Sequence, residues 1–86
     1  MMPSDYVGKS LRDLTKVTGF DFNGWIVFLL QSADDDTGRP MCEDFKISYI
    51  IRQHPNLADC VVKYSHGYFG QIVLRVLPPE LAGKTD

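Results

Sequence analysis

Cys42, His54, Cys60 and His66 are the side chains of this chain best suited to hold a metal or to attack a substrate. A structural zinc site normally nucleates on a close pair such as C-x-x-C or H-x-x-x-H. No two of these four residues stand at such a spacing. A Cys–His nucleophile pair would also need a third group to orient the base, and none is visible. The spacing therefore predicts no metal site, no catalytic residue and no cofactor. The cysteines read as small core residues carrying free thiols in a reducing compartment. Spacing alone leaves a single Cys42–Cys60 bridge open, because it says nothing about geometry.

The run Asp34-Asp35-Asp36 offers oxygen ligands for a cation. An EF-hand loop needs oxygens at positions one, three and five, glycine at six and glutamate at twelve. Counted from Asp34, Gly38 falls at five, Arg39 at six and Phe45 at twelve; counted from Asp36, Gly38 falls at three. The pattern fails both ways, and the run reads as a solvated loop whose charges guard an aggregation-prone strand. Gly67-Tyr68-Phe69-Gly70 is a Gly-x-x-Gly motif, but it falls in a β-hairpin and opens no helix. The helix-terminus argument for phosphate binding therefore does not apply. Gly70 reads as a bulge or a close backbone approach.

The aromatic residues are more informative. Tyr64, Tyr68 and Phe69 gather at one hairpin with His66 at its tip. Tyrosines are amphipathic and enriched at contact surfaces. Trp25, His66, Tyr68 and Phe69 are thus the candidate protein-binding residues. The same rings could stack bases, with Lys63, Arg75 and Arg52 beside Phe69. The Lys/Arg-Gly-aromatic motif and basic surround of RNA-binding sheets are missing, so nucleic acid is the alternative partner. Tyr64 and Tyr68 also suit the cap of a hydrophobic core.

These side chains must be positioned by one small domain, residues 1–86. Hydrophobic residues are 44% and charged residues 23% of the chain, as in ordinary globular proteins. The net charge of −2 is too mild to select a partner by field, and the basic residues are spread evenly. The N-terminus lacks the basic and apolar regions of a signal peptide. The longest apolar run, Trp25 to Leu30, is far too short to span a membrane. A cytoplasmic protein without a membrane partner is expected.

A helix is predicted over 4–18, with Leu11, Leu14 and Val17 on one face, Ser10 and Asp13 as a capping-box-like start, and Gly19 as the stop. Asn23-Gly24 signals a turn. Strands are predicted at about 24–32, 43–53, 58–65 and 68–77. The first is apolar on both faces and must lie inside the sheet. In 43–53, the alternation of Phe45, Ile47, Tyr49 and Ile51 favours a strand. Pro40, an acidic start and Pro55 offer a helical alternative over 42–53. For the last two strands, a loop of Ser65-His66-Gly67 would pair Tyr64 with Tyr68, Cys60 with Ile72 and Ala58 with Leu74. Pro78-Pro79 ends the last strand, and the tail from about 79 is expected to be mobile.

Residues 47–77, with Ile50-Ile51-Arg52-Gln53-His54-Pro55-Asn56-Leu57-Ala58-Asp59-Cys60-Val61-Val62, resemble part of the small C-terminal domain of adenylate-forming acyl ligases. There a helix ends in His-Pro and an antiparallel hairpin follows. The resemblance implies the helical alternative and a β-α-β-β unit. That family's catalytic-lysine segment and large nucleotide domain have no counterpart here, so no function is carried over.

The expected fold is α+β: an N-terminal helix on one face of a four-stranded antiparallel sheet. One short helix cannot shield both faces of the inner strand. The second face then needs a cover, either by curling of the sheet or by a second chain. The expected function is a non-enzymatic protein-binding or regulatory module acting through its sheet, with another protein or a second copy of itself as partner. The rivals are a nucleic-acid-binding domain using the Tyr68/Phe69 hairpin and a small enzyme with an unrecognised site.

Overall fold

The computed structural model describes residues 3–17 and 23–82. Four strands form one sheet: β1 Trp25–Leu29, β2 Arg39–Phe45, β3 Val61–Tyr68 and β4 Gln71–Leu77. Their order is β2-β1-β4-β3. β1 lies inside the sheet, as its doubly apolar run requires. The sheet is mixed rather than antiparallel: β1 pairs parallel with β4, while β1–β2 and β3–β4 are antiparallel. Hydrogen bonds from Ile72 N to Gly24 O and from Leu30 N to Val76 O, both 2.9 Å, extend the parallel ladder at its two ends. A parallel neighbour needs a long crossover. Here β2, a helix and β3 all lie between β1 and β4 in sequence.

Side chains alternate between the two faces of a strand. Trp25 and Val27 of β1, Leu74 and Val76 of β4 and Val62 of β3 point to one face and are buried. Helical segments cover that face. The expected helix over 4–18 is broken into a 3-10 turn, Pro3–Tyr6, and a single turn α1, Leu11–Leu14. Ser10 caps α1, its Oγ accepting from Asp13 N at 3.1 Å. Leu11 N and Arg12 N donate to Cys60 O and Ala58 O at 3.2 and 2.9 Å. The turn's free N–H groups are thus satisfied by the segment it docks on, which lets so short a helix persist. Leu11 and Leu14 are buried and Val17 packs beside them. The expectations for Gly19 and for Phe20 to Phe22 lie outside the described residues.

Residues 43–53 are not one strand. The strand ends at Phe45, and α2 runs Ile47–Gln53. Ile47 and Ile50 are buried in the core with Ile51 packed against them, the i, i+3, i+4 spacing of a buried helix stripe. Phe45 and Tyr49 stack on each other outside that stripe, with centroids 4.6 Å apart. Pro55 opens a 3-10 turn, Pro55–Leu57, that ends the helical stretch. The stretch expected to be mobile begins with a helical turn, α3 Pro79–Ala82. No helix among the described residues is long and apolar enough to cross a membrane.

The β3–β4 hairpin turns later than expected. Tyr68 pairs with Gln71, His66 with Val73 and Tyr64 with Arg75, so the predicted Tyr64–Tyr68 register is wrong. The turn residues are Phe69 and Gly70, with φ of 45° and 81°. Two positive φ angles in a two-residue loop are the mark of a type I′ turn, whose twist matches that of the strands. Gly70 is neither a bulge nor a close approach, for nothing lies within 4 Å of a Cβ built there.

Gly38, at the end of the β1–β2 loop, has the opposite character. Its φ is +80°, and a Cβ would stand 3.0 Å from Phe28 Cβ and 3.2 Å from Leu29 O. Gly38→Ala meets backbone strain and crowding together. It is expected to destabilise the fold by about 1–2 kcal/mol, read as a lower urea midpoint at unchanged slope.

Candidate functional site

The face of the sheet away from the helices is open. Alternation and register place two rows across it. Ile26 of β1, Val73 of β4 and His66 of β3 form one row; Phe28, Arg75 and Tyr64 form the next. Tyr68 extends the face toward the hairpin tip. Ile26, Phe28, His66, Tyr68, Val73 and Arg75 enclose a shallow cavity of about 230 Å³.

Two cations organise one end of this face. The Arg75 guanidinium lies 4.9 Å from the centre of the Phe28 ring, and its Nε donates to Thr37 O at 3.2 Å. Lys63 stands over the Tyr64 ring at 5.2 Å, and its Nζ donates to Ala33 O. Both carbonyls belong to the β1–β2 loop, so β3 and β4 tether that loop across the end of the face. The ion pairs among the described residues, Arg12–Asp59 and Lys16–Asp13, involve neither cation. Lys63 falls at the irregularity where the β3 register shifts between Val62 and Tyr64. Before that point the edge of β3 is covered, Gly8 N donating to Val62 O and Val62 N to Lys9 O.

The acidic loop is built on one of its three aspartates. Asp35 Oδ2 accepts from Gln31 N at 2.8 Å. Asp35 Oδ1 accepts from Thr37 N at 3.0 Å, Gly38 N at 3.1 Å and Thr37 Oγ1 at 3.2 Å. Hydrogen bonds from the Gln31, Thr37 and Gly38 amides favour the charged carboxylate and bring its pKa down to about 2.

The remaining sequence-derived candidates separate. Trp25 points to the helical face and is fully buried, with its ring 5.7 Å from that of Tyr6, away from the open face. Arg52 is exposed on α2, which packs on the opposite face from Arg75. His66 and Tyr68 line the cavity; Phe69, in the turn, is exposed and meets Tyr68 edge-on at 4.8 Å. Ile26 and Phe28 were missed as site residues because the run 25–30 reads as buried on both sides, and Val73 because it reads as one more apolar residue of a buried strand. Cys60 is a free, buried thiol whose pKa burial raises to about 11, with Glu80 and Asp59 adding to the shift. The side chain of Cys42 lies outside those described. No group of three or more potential metal ligands occurs among the described residues.

Compared with known proteins, the chain matches no family model, no curated protein and no solved structure. The resemblance of residues 47–77 to the acyl-ligase domain thus gains no support from these comparisons.

Two outcomes follow from the titrating groups. Asp35 titrates near 2 when folded, below its ordinary 3.8. Its contribution to loop order is therefore complete above about pH 4 and is lost as pH falls from there through about 2. The amide shifts of Gln31, Thr37 and Gly38 should titrate with that low midpoint, and Asp35→Ala should abolish the transition. In a Cys42→Ser background, Cys60 should resist a thiol reagent at pH 8 until denaturant unfolds the chain.

Proposed function

We propose that this chain is a small, non-enzymatic, cytoplasmic protein-binding module whose contact surface is the open sheet face and the hairpin tip beside it. One observation carries the reading. Half-buried Ile26 and Phe28 and exposed Tyr64 and Tyr68 lie on the open face of the sheet, over buried Val73, while the other face packs against the helices. Patches of this kind on small proteins mark interaction sites, and aromatic residues with an arginine are the groups that anchor interfaces.

A second reading is single-stranded nucleic acid stacked on Tyr68 and Phe69, favoured by their exposure at the tip. Lys63 and Arg75 would be its phosphate contacts, but both already bond loop carbonyls next to Asp34 and Asp36. With a net charge of −2, the protein reading ranks first.

The test is recovery of the tagged protein from its host under reducing conditions, beside Tyr68→Glu. Tyr68 is 56% exposed, so this change leaves the core intact and the thermal midpoint within a few degrees. A stoichiometric protein lost from the Tyr68→Glu eluate is the expected result. Equal recovery with both chains would remove the sheet face from the function. Nucleic acid that survives moderate salt and is lost on Phe69→Ala would establish the second reading instead.

A further inference from the structure

The sheet ends in β2 on one side and β3 on the other, and these two edges are guarded unequally. β2 begins with Arg39 and Pro40, and its register against β1 shifts between Trp25 and Val27 and again between Val27 and Phe28. Charge, proline and irregular register are the devices that keep an edge from pairing with another chain. β3 is protected only at its beginning, where Gly8 and Lys9 cover Val62 and the register shifts before Tyr64. From Tyr64 to Tyr68 the edge holds no lysine, arginine, acid or proline.

The bonds between β4 and β1 fix which backbone groups of that edge are free. Ile72 N donates to Gly24 O and Val76 O accepts from Leu30 N, so these β4 residues turn their backbone groups toward β1. Leu74, midway between them, shares their phase. The β3 residues opposite, Gly67 for Ile72 and Ser65 for Leu74, therefore turn their N–H and C=O groups outward, as Val62 does opposite Val76. Val62 is bonded by Gly8 and Lys9. Among the described residues, no backbone bond from outside the hairpin reaches Ser65 or Gly67. The Ser65 hydroxyl is also buried without a hydrogen-bond partner among those residues, an omission that folded chains rarely leave. Gly67 leaves room for an approach, since a Cβ there would meet nothing closer than Gln71 O at 3.9 Å.

We propose that this open edge takes an extended strand of a partner protein, paired through Ser65 and Gly67 and added to the sheet beside β3. This rests on the protein-binding reading above and states the partner's conformation. The length of the slot argues for a single strand. It runs from Tyr64 to Tyr68, about 17 Å at the rise of a strand, between the Gly8–Lys9 cover and the turn at Phe69 and Gly70. A second copy of this chain would bring its own cover and its own turn to so short a slot. An extended peptide brings only one backbone and its side chains. Main-chain bonds supply the affinity of such an addition, and alternate side chains supply the specificity. On the open-face side the added strand lies beside Tyr64, His66 and Tyr68. Aromatic or β-branched residues pair best with such neighbours, so they are the types expected at its alternate positions.

The experiment pans a displayed library of random decapeptides on the full chain in reducing buffer, then follows amide exchange of the chain with the selected peptide. The Ser65 and Gly67 amides are expected to exchange freely in the chain alone and to be protected by the peptide. Gly67→Pro removes the outward N–H at a place where an edge strand accepts proline, and Gly67→Lys adds an edge guard. Each should weaken the peptide by about tenfold or more, and if one variant fails to fold the other decides. No selected peptide, or a peptide that binds while Ser65 and Gly67 still exchange freely, overturns strand addition. The sheet-face reading is then judged separately by the Tyr68→Glu recovery. Protection that appears without peptide and grows with protein concentration overturns it in favour of a second copy.

Discussion

The structure depends on one constraint: its inner strand β1 is apolar on both faces, while its short helices cover only one. β1 and β4 have a strand on either side, so their backbone groups are satisfied and neither presents an edge. Their side chains have no such symmetry. Trp25, Val27, Leu74 and Val76 meet Leu11, Leu14, Ile47, Ile50 and Leu57 in the core. Ile26, Phe28 and Val73 meet no helix. The open face and its cavity follow from that imbalance.

The open face is nevertheless organised. Arg75 covers Phe28, and both Arg75 and Lys63 hold the loop that Asp35 folds from within. A guanidinium lying on a ring shields apolar area while keeping its charge in water. Order at the loop end contrasts with the hairpin end, where Phe69 is 92% exposed beside Tyr68.

The legible parts of the fold were local ones. The Trp25–Leu30 run announced an inner strand, and Ser10 announced a helix cap. The parallel partnership of β1 with β4 was not legible, because it joins segments far apart in sequence and no local pattern encodes it. Residues 47–53 misled because Phe45 and Tyr49 suggest a buried alternating strand, when they stack on each other at the surface and the buried stripe is Ile47, Ile50 and Ile51. In the hairpin, Gly67 competed with Gly70 for the turn, and a phenylalanine ahead of Gly70 hid the type I′ signal. At the site, His66, Tyr68, Phe69, Lys63 and Arg75 could be named from residue type. Ile26, Phe28 and Val73 needed the fold, since only a count of the available helices shows which side of an inner strand goes uncovered.

The position of β4 also bears on synthesis. It is the last of the four strands in sequence and yet an inner one, the parallel neighbour of β1. A nascent chain that has reached Tyr68 holds β1 with one flank unpaired, and that flank belongs to the most apolar run in the sequence. The sheet closes only when residues 71–77 leave the ribosome and insert between two strands already made. Such late, non-local closure is slow relative to hairpin formation. Until then Trp25 to Leu30 is an unpaired apolar edge, the kind of segment prone to aggregate.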